Sequence, residues 1–183
     1  MPTITTPRLV IASTPLHVVT TRLERDDFAA EVPLVFRDGE DAYLEIWPVQ
    51  FPPEWPGDAV ALLPTWKERM EADEAFQMLG GTMIDRAGRV AVGQITLEPD
   101  PNDPGTVELG YGVNPPMWGR GYATEAARAL VSWARKLPWL RRIISACAAD
   151  NLPSIRVLEK AGFTRTGERN DEEGRSILWE YPG

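Results

Sequence analysis

The order of periodicities along this chain of 183 residues predicts an α+β fold, a mixed and mostly antiparallel central sheet with helices on both faces. Three observations predict it. Alternating runs recur in pairs joined by polar turns, at Asp85-Arg86-Ala87-Gly88 and at Asn170-Asp171-Glu172-Glu173-Gly174, which is how antiparallel hairpins read. Two stretches repeat instead at helical spacing, one through Ala123, Ala126, Ala127, Leu130, Val131, Ala134 and Leu137, the other from Asn151 to Ala161. Each of these is followed directly by a strand-like run. The length suits one domain, residues 1–183, with ample core.

Taken in order, Arg8 to Ala12 reads as a short strand, and Leu16, Val19, Thr20 and Leu23 as a helix begun at Thr14-Pro15. Phe28 to Phe36 alternates as a strand, with Pro33 placing it at a sheet edge, and Arg37-Asp38-Gly39-Glu40 turns the chain. Tyr43 to Trp47 is expected as a short helix, and Phe51-Pro52-Pro53-Glu54-Trp55-Pro56 as an ordered, extended loop. Asp58 is placed to cap a helix from Ala59 to Ala72, with Leu62, Leu63, Trp66 and Met70 on one side. Strands follow at Phe76 to Ile84 and Arg89 to Glu98, then a turn over Pro99 to Gly105. After the second-half helix stops at Pro138, Arg142 to Ala149 is an apolar run fit for a buried strand. Asn151 and Gly162 bracket the last helix, and Phe163 to Glu168 with Arg175 to Tyr181 form the terminal hairpin.

Composition narrows the function. A formal net charge of -8 argues against nucleic acid, whose phosphates need Lys and Arg, and favours a cationic partner or simple solubility. The single cysteine, Cys147, allows no internal disulfide and suits a reducing compartment. One Cys and one His, His17, cannot assemble a zinc site, so no metal is expected. The start, Met-Pro-Thr-Ile-Thr-Thr-Pro-Arg, lacks a basic region followed by an apolar one, and no apolar run reaches membrane-spanning length. A soluble, cytoplasmic protein with no membrane partner is expected.

The most informative stretch runs from Thr106 to Arg128. Val107, Leu109, Tyr111 and Val113 fall on one side of an extended segment; Glu108, Gly110 and Gly112 fall on the other. Asn114-Pro115-Pro116 break the strand, and Trp118-Gly119-Arg120-Gly121-Tyr122-Ala123 lead into the helix. The first turn of a helix has unpaired N–H groups and the positive end of the macrodipole, glycines let an anion approach them, and Arg120 adds a charge-assisted donor. Such a turn also serves simply to pack a helix close to a sheet. The nucleotide-triphosphate loop and the complete dinucleotide fingerprint are both absent.

At these residues the chain resembles the GCN5-related N-acetyltransferases (GNAT), in particular the branch containing the ribosomal-protein alanine acetyltransferases. Trp118 to Ala126, W-G-R-G-Y-A-T-E-A, is similar to that branch's acetyl-CoA pyrophosphate loop. Asn151 to Phe163 is similar to the family's N-x-x-S-x-x-V-L-E-K-x-G-F. The resemblance covers the chain from about Arg89 onward, more loosely before. It implies a GNAT-like fold and acetyl transfer from acetyl-CoA, as co-substrate, to a primary amine, either a protein N-terminus or a small molecule, by direct attack in a ternary complex. The class to weigh against it is an acyl-CoA-binding module with the fold and without turnover. Homodimerisation is left open.

The resemblance also implies roles. The pyrophosphate would lie on Trp118, Gly119, Arg120, Gly121, Tyr122, Ala123 and Thr124, and the acetyl-pantetheine arm between the parted strands Thr106 to Val113 and Arg142 to Ala149, beside Tyr111 and Val113. Asn151 would hold the pantetheine, and Ser154 would donate a proton to the sulfur; each also reads as ordinary helix-start chemistry. Where many members carry a tyrosine acid seven residues after the asparagine, this chain has Leu158. Glu108 is expected to receive the acceptor's proton, or else to be an exposed strand glutamate. Trp47, Glu54, Trp55 and Asp58 are candidates to line the acceptor pocket, with core as the other reading of each tryptophan. Cys147, between alanines in an apolar strand, reads as a small hydrophobe and not as an acyl carrier.

Overall fold

The structure, a computed structural model, describes residues 1–39, 41–72, 79–171 and 174–182. Glu40 in the first expected turn, residues 76–78 of an expected strand and residues 172–173 of the terminal turn lie outside the described residues.

Ten strands are described: β1 (Ile4–Thr5), β2 (Leu9–Ala12), β3 (Phe28–Asp38), β4 (Asp41–Phe51), β5 (Leu79–Asp85), β6 (Val90–Asp100), β7 (Asp103–Val113), β8 (Arg142–Ala148), β9 (Thr164–Asp171) and β10 (Gly174–Glu180). Four α-helices accompany them: α1 (Leu16–Glu24), α2 (Leu63–Ala72), α3 (Tyr122–Ala134) and α4 (Leu152–Ala161). The sheet runs β1-β2-β5-β6-β7-β8-β10-β9, antiparallel except where β7 meets β8, and the β3–β4 hairpin joins it through one parallel bridge, Gln50 to Val90.

Alternation sends neighbouring side chains to opposite faces. Leu9 and Ile11 of β2, Met83 of β5 and Val92 of β6 meet the apolar stripe of α3 and α4, with Ala126, Ala127, Leu130 and Leu158. Val10, Ala12, Ile84 and Ala91 meet Val18 of α1, Phe28, Phe51 and Trp55 on the other face. Two faces buried at once explain why β2, Leu9-Val10-Ile11-Ala12, has no polar alternate.

Several elements differ from the sequence expectation. Tyr43 to Trp47 is strand: β4 pairs with β3 in continuous register from Phe28↔Phe51 to Asp38↔Asp41, and Tyr43 stacks on Phe36 at 5.4 Å. Cross-strand aromatic pairing outweighs a weak helical pattern there. The expected helix from Ala59 to Ala72 is two pieces, a 3-10 helix over Gly57–Leu62 and then α2. Pro64 lacks an N–H and is accommodated only in a first helical turn, so α2 must restart beside it. Asp58 therefore lies within the 3-10 helix and caps nothing. The turn after β6 shrinks to Pro101-Asn102, and α3 ends at Ala134, short of Leu137. β1 was not anticipated. Pro33 does sit on a strand paired on one side only, where its missing donor costs no ladder bond.

Candidate functional site

At the start of α3, Gly119 (φ 73°) and Gly121 (φ 79°) both take the left-handed conformation, which for other residues costs about 1–2 kcal/mol. Gly121 is the N-cap, and the Glu125 N–H to Gly121 carbonyl bond (3.1 Å) closes the first helical turn. The amides of Tyr122, Ala123 and Thr124 precede that bond and head the helix. A Cβ on Gly119 would meet nothing within 4 Å, so the backbone here is open to an approaching anion, and Arg120 is exposed beside it. The residues present fit a pyrophosphate. Trp118 is 66% exposed and its indole N–H donates to the Val113 carbonyl at 2.5 Å, bracing the turn. Buried Asn114 holds the other side, its N–H on the Val92 carbonyl and its Nδ2 on the Ala91 carbonyl, both at 2.9 Å.

A clamp from the amino terminus, not expected from sequence, fixes this helix start. The Glu125 carboxylate accepts the Thr6 hydroxyl (2.6 Å), the Arg8 N–H (3.0 Å) and Arg8 Nε (2.7 Å), and the Arg8 guanidinium also donates to the Arg120 carbonyl (2.8 Å). Tyr122 donates its hydroxyl to Asp85 (2.8 Å) while Arg8 lies 4.7 Å over its ring. Burial pushes the Glu125 carboxyl up, but its hydrogen bonds from Thr6 and Arg8 and the Arg8 charge outweigh this and hold it below the usual range. A depressed carboxyl pKa contributes stability above the unfolded-state value and loses it as pH falls through the folded one. Glu125→Gln should therefore cost about 1.5–3 kcal/mol at pH 7 and flatten the acid limb of stability below about pH 4.5. Urea unfolding of both forms at pH 7 and pH 3.5 checks this, and an equal difference at the two pH values refutes it.

β7 and β8 pair in parallel only at Thr106↔Arg142, Val107↔Ile143 and Glu108↔Ile144, and then part. At the fork the Ser145 hydroxyl donates to the Leu109 carbonyl (2.9 Å), satisfying a group the ladder no longer reaches. Sequence reading missed Ser145; its one signal is a hydroxyl inside the apolar run Ile143-Ile144-Ser145-Ala146. Beyond the fork Tyr111 reaches α4 and donates to the Ser154 carbonyl at 3.1 Å. Burial, the largest influence, pushes its phenol up to about 12, so it stays protonated at neutral pH. Asn151 caps α4, its Oδ1 accepting the Ser154 N–H at 3.1 Å. Tyr111, Asn151 and Ser154 are thus brought to one place, with Cys147 facing Tyr111 electrostatically. Burial pushes the Cys147 thiol up, making it a poorer nucleophile, and Leu158 is core.

On the opposite face of β7 lies a cleft of about 400 Å³, between the sheet and the 3-10 helix and α2. Its floor is three cross-strand pairs of β6 and β7: Gln94↔Gly112, Thr96↔Gly110 and Glu98↔Glu108. Its walls include Asp58, Leu62 and Trp66. Cβ atoms on Gly110 and Gly112 would lie 3.4 Å from Thr96 Oγ1 and 3.6 Å from the Pro56 carbonyl. Trp47, Glu54 and Trp55 are not among the described residues that line it. Trp55 is fully buried, edge-on to Phe51 at 4.8 Å, with its indole N–H toward the Gly93 carbonyl (3.3 Å). Trp47 packs on Phe36 under the Arg89 guanidinium and donates to Glu45, and Glu54 is exposed outside the cleft. Trp66 and Gln94, not singled out from the sequence as site residues, line the cleft. His17, exposed on α1, bonds to the Glu31 carbonyl at 2.9 Å. Among the described residues no helix is long and apolar enough to cross a membrane.

A glycine turn and a helix start thus lie on one side of a parted parallel pair, with an open cleft on the other. Residues 21–164 match the family model described as Acetyltransferase (GNAT) domain; the chain belongs to that family and is an N-acetyltransferase. It is 31% identical over 112 residues to the uncharacterized N-acetyltransferase YjdG of Bacillus subtilis (strain 168), covering 60% of this chain and 67% of that one. Across four such curated relatives the aligned part spans 36% to 67% of the relative's length. A putative GNAT-family acetyltransferase from Bordetella pertussis has a TM-score of 0.66 at 19% identity, covering 100% of both chains. RimL, a ribosomal L7/L12 alpha-N-protein acetyltransferase solved in complex with coenzyme A, has a TM-score of 0.65 at 13% identity, covering 97% of this chain and 96% of that one. At these identities the two structures speak for the fold.

Proposed function

We propose that residues 1–183 act as one cytoplasmic N-acetyltransferase domain in which a primary amine, bound in the cleft over β6 and β7, attacks acetyl-CoA directly. One observation carries the reading: Glu108 belongs to the last paired position before β7 and β8 part, and it lines the cleft. A carboxylate on the acceptor side thus stands beside the fork where the thioester would lie. In this reading the amides from Trp118 to Thr124, with Arg120, hold the pyrophosphate, and Tyr111, Val113 and Asn151 line the pantetheine. The amine nitrogen bonds to the thioester carbonyl carbon, the carbon–sulfur bond breaks, Glu108 takes the amine's proton and the Ser154 hydroxyl gives one to the thiolate. The likeness of Trp118 to Ala126 to the ribosomal-protein alanine branch lies in the coenzyme loop, and carries no information about the acceptor.

The test is thiol release from acetyl-CoA across N-terminal peptides, polyamines and aminoglycosides. Acetyl-CoA binding with no turnover on any amine would favour the binding module. The coenzyme side is checked separately by thermal unfolding. Saturating acetyl-CoA should stabilise the protein by about 2.7 kcal/mol at one hundred times Kd. Gly121→Val, whose side chain both strains the left-handed N-cap and covers the helix amides, should lose that rise. A folded variant that binds as tightly as the wild type would remove the site.

A further inference from the structure

The cleft floor breaks two local rules within four residues of β6. Gln94 is 2% exposed, and neither its Oε1 nor its Nε2 has a hydrogen-bond partner, although buried amides are almost always satisfied. Glu98 and Glu108 stand directly opposite each other across the antiparallel ladder, where like charges are destabilising. Asp58 adds a third carboxylate to the lining, and no Lys or Arg is among the described lining residues. Violations of this kind gathered in one cavity mark a binding function.

We propose, building on the acceptor cleft assigned above, that the acceptor is a small polycationic amine that also carries hydroxyl groups. A second ammonium beside Glu98 relieves the like-charge pair and leaves Glu108 for the reacting amine, while Asp58 adds to the negative field of the cleft. Gln94 selects for the hydroxyl. Its orphaned amide has one acceptor and one donor group to satisfy; an ammonium only donates, whereas a hydroxyl donates and accepts. Gly110 and Gly112, opposite Thr96 and Gln94, put no side chain into the cleft. A peptide N-terminus with neutral side chains offers one cation and leaves Glu98 and Asp58 unmatched. Burial falls from Gln94 (2% exposed) through Thr96 (7%) to exposed Glu98, so the hydroxyl end lies innermost and the second cation outermost.

Calorimetric titration in the presence of coenzyme A separates this from the transfer reading, because it scores binding and not turnover. The probes are ribostamycin (amines and hydroxyls), spermidine (amines only) and alanyl-alanine amide (one amine). Ribostamycin should bind at least tenfold tighter than the dipeptide, with an affinity that falls as salt rises. Gln94→Met, close to isosteric, should weaken ribostamycin about tenfold and spermidine less than twofold. Its Tm should hold or rise, since an unsatisfied amide has been replaced by an apolar group. Glu98→Gln, an exposed substitution, should weaken both polycations and spare the dipeptide. Equal affinity for the dipeptide and ribostamycin, no binding of any probe at millimolar concentration, or a Gln94→Met variant unchanged toward ribostamycin would each overturn the proposal. Binding in this pattern without thiol release would overturn the transfer reading and leave this one standing.

Discussion

Glu108→Gln should lower kcat by about 10²–10⁴ where chemistry limits the rate, with little change in the KM for acetyl-CoA. The substitution keeps the side chain's shape on the cleft floor and removes its capacity to take a proton. How much depends on the acceptor. At pH 7 a lysine-like amine of pKa about 10.4 is neutral in well under about 1% of molecules, and an α-amine near 7.7–8.0 in roughly 10–17%. The deficit should therefore be larger for alkyl amines than for N-terminal peptides. A pH–rate profile of both forms with one acceptor decides it. The wild type should show an acidic limb where a carboxylate must ionise, and the variant should lack it. An unchanged rate with an unchanged limb would leave Glu108 an ordinary strand residue. Glu98→Gln, across the ladder, is the control, because it alters the same local charge without removing the proposed base.

Trp55→Ala should cost about 3–5 kcal/mol of stability, the range for deleting a buried large aromatic. For a chain of this size that is a fall in Tm of about 6–20 °C. The side chain is fully enclosed, edge-on to Phe51, and its loss would open a cavity where the loop after β4 meets the sheet. It would also strip the Gly93 carbonyl of its indole donor. The fraction that remains folded should keep its amine KM. An unchanged Tm with a raised amine KM would move Trp55 from the core to the substrate.

Those two residues illustrate what the chain reveals locally and what it does not. Glu108 was legible because alternation along one strand fixes which residues share a face, and Gly110 and Gly112 marked that face as unusual. The bounds of α4 were equally local, an asparagine at its start and a glycine (φ 96°) at its end. Trp47 and Trp55 were not assignable, because periodicity separates two faces without saying which one is walled off by a distant element. The Arg8–Glu125 clamp spans 117 positions, and the Glu98–Glu108 opposition depends on a register that shifts between Pro99 and Asp100, just before the turn at Pro101-Asn102. Gln94 did leave a trace, as the one polar side chain in Val90-Ala91-Val92-Gly93-Gln94-Ile95. Recognising it required knowing that β6 is buried on both faces.

The glycines of the cleft floor differ in kind from those before α3. Gly119 and Gly121 are dictated by their backbone angles, whereas a Cβ at Gly110 or Gly112 would make only close or ordinary van der Waals contact, with no left-handed φ to oppose it. Their smallness is thus a matter of room alone. The depth of the floor is consequently an adjustable dimension, alterable one methyl group at a time while β6, β7 and the coenzyme turn keep their shape. A lineage, or an engineer, could retune which acceptor fits by substitutions that the rest of the fold would scarcely register.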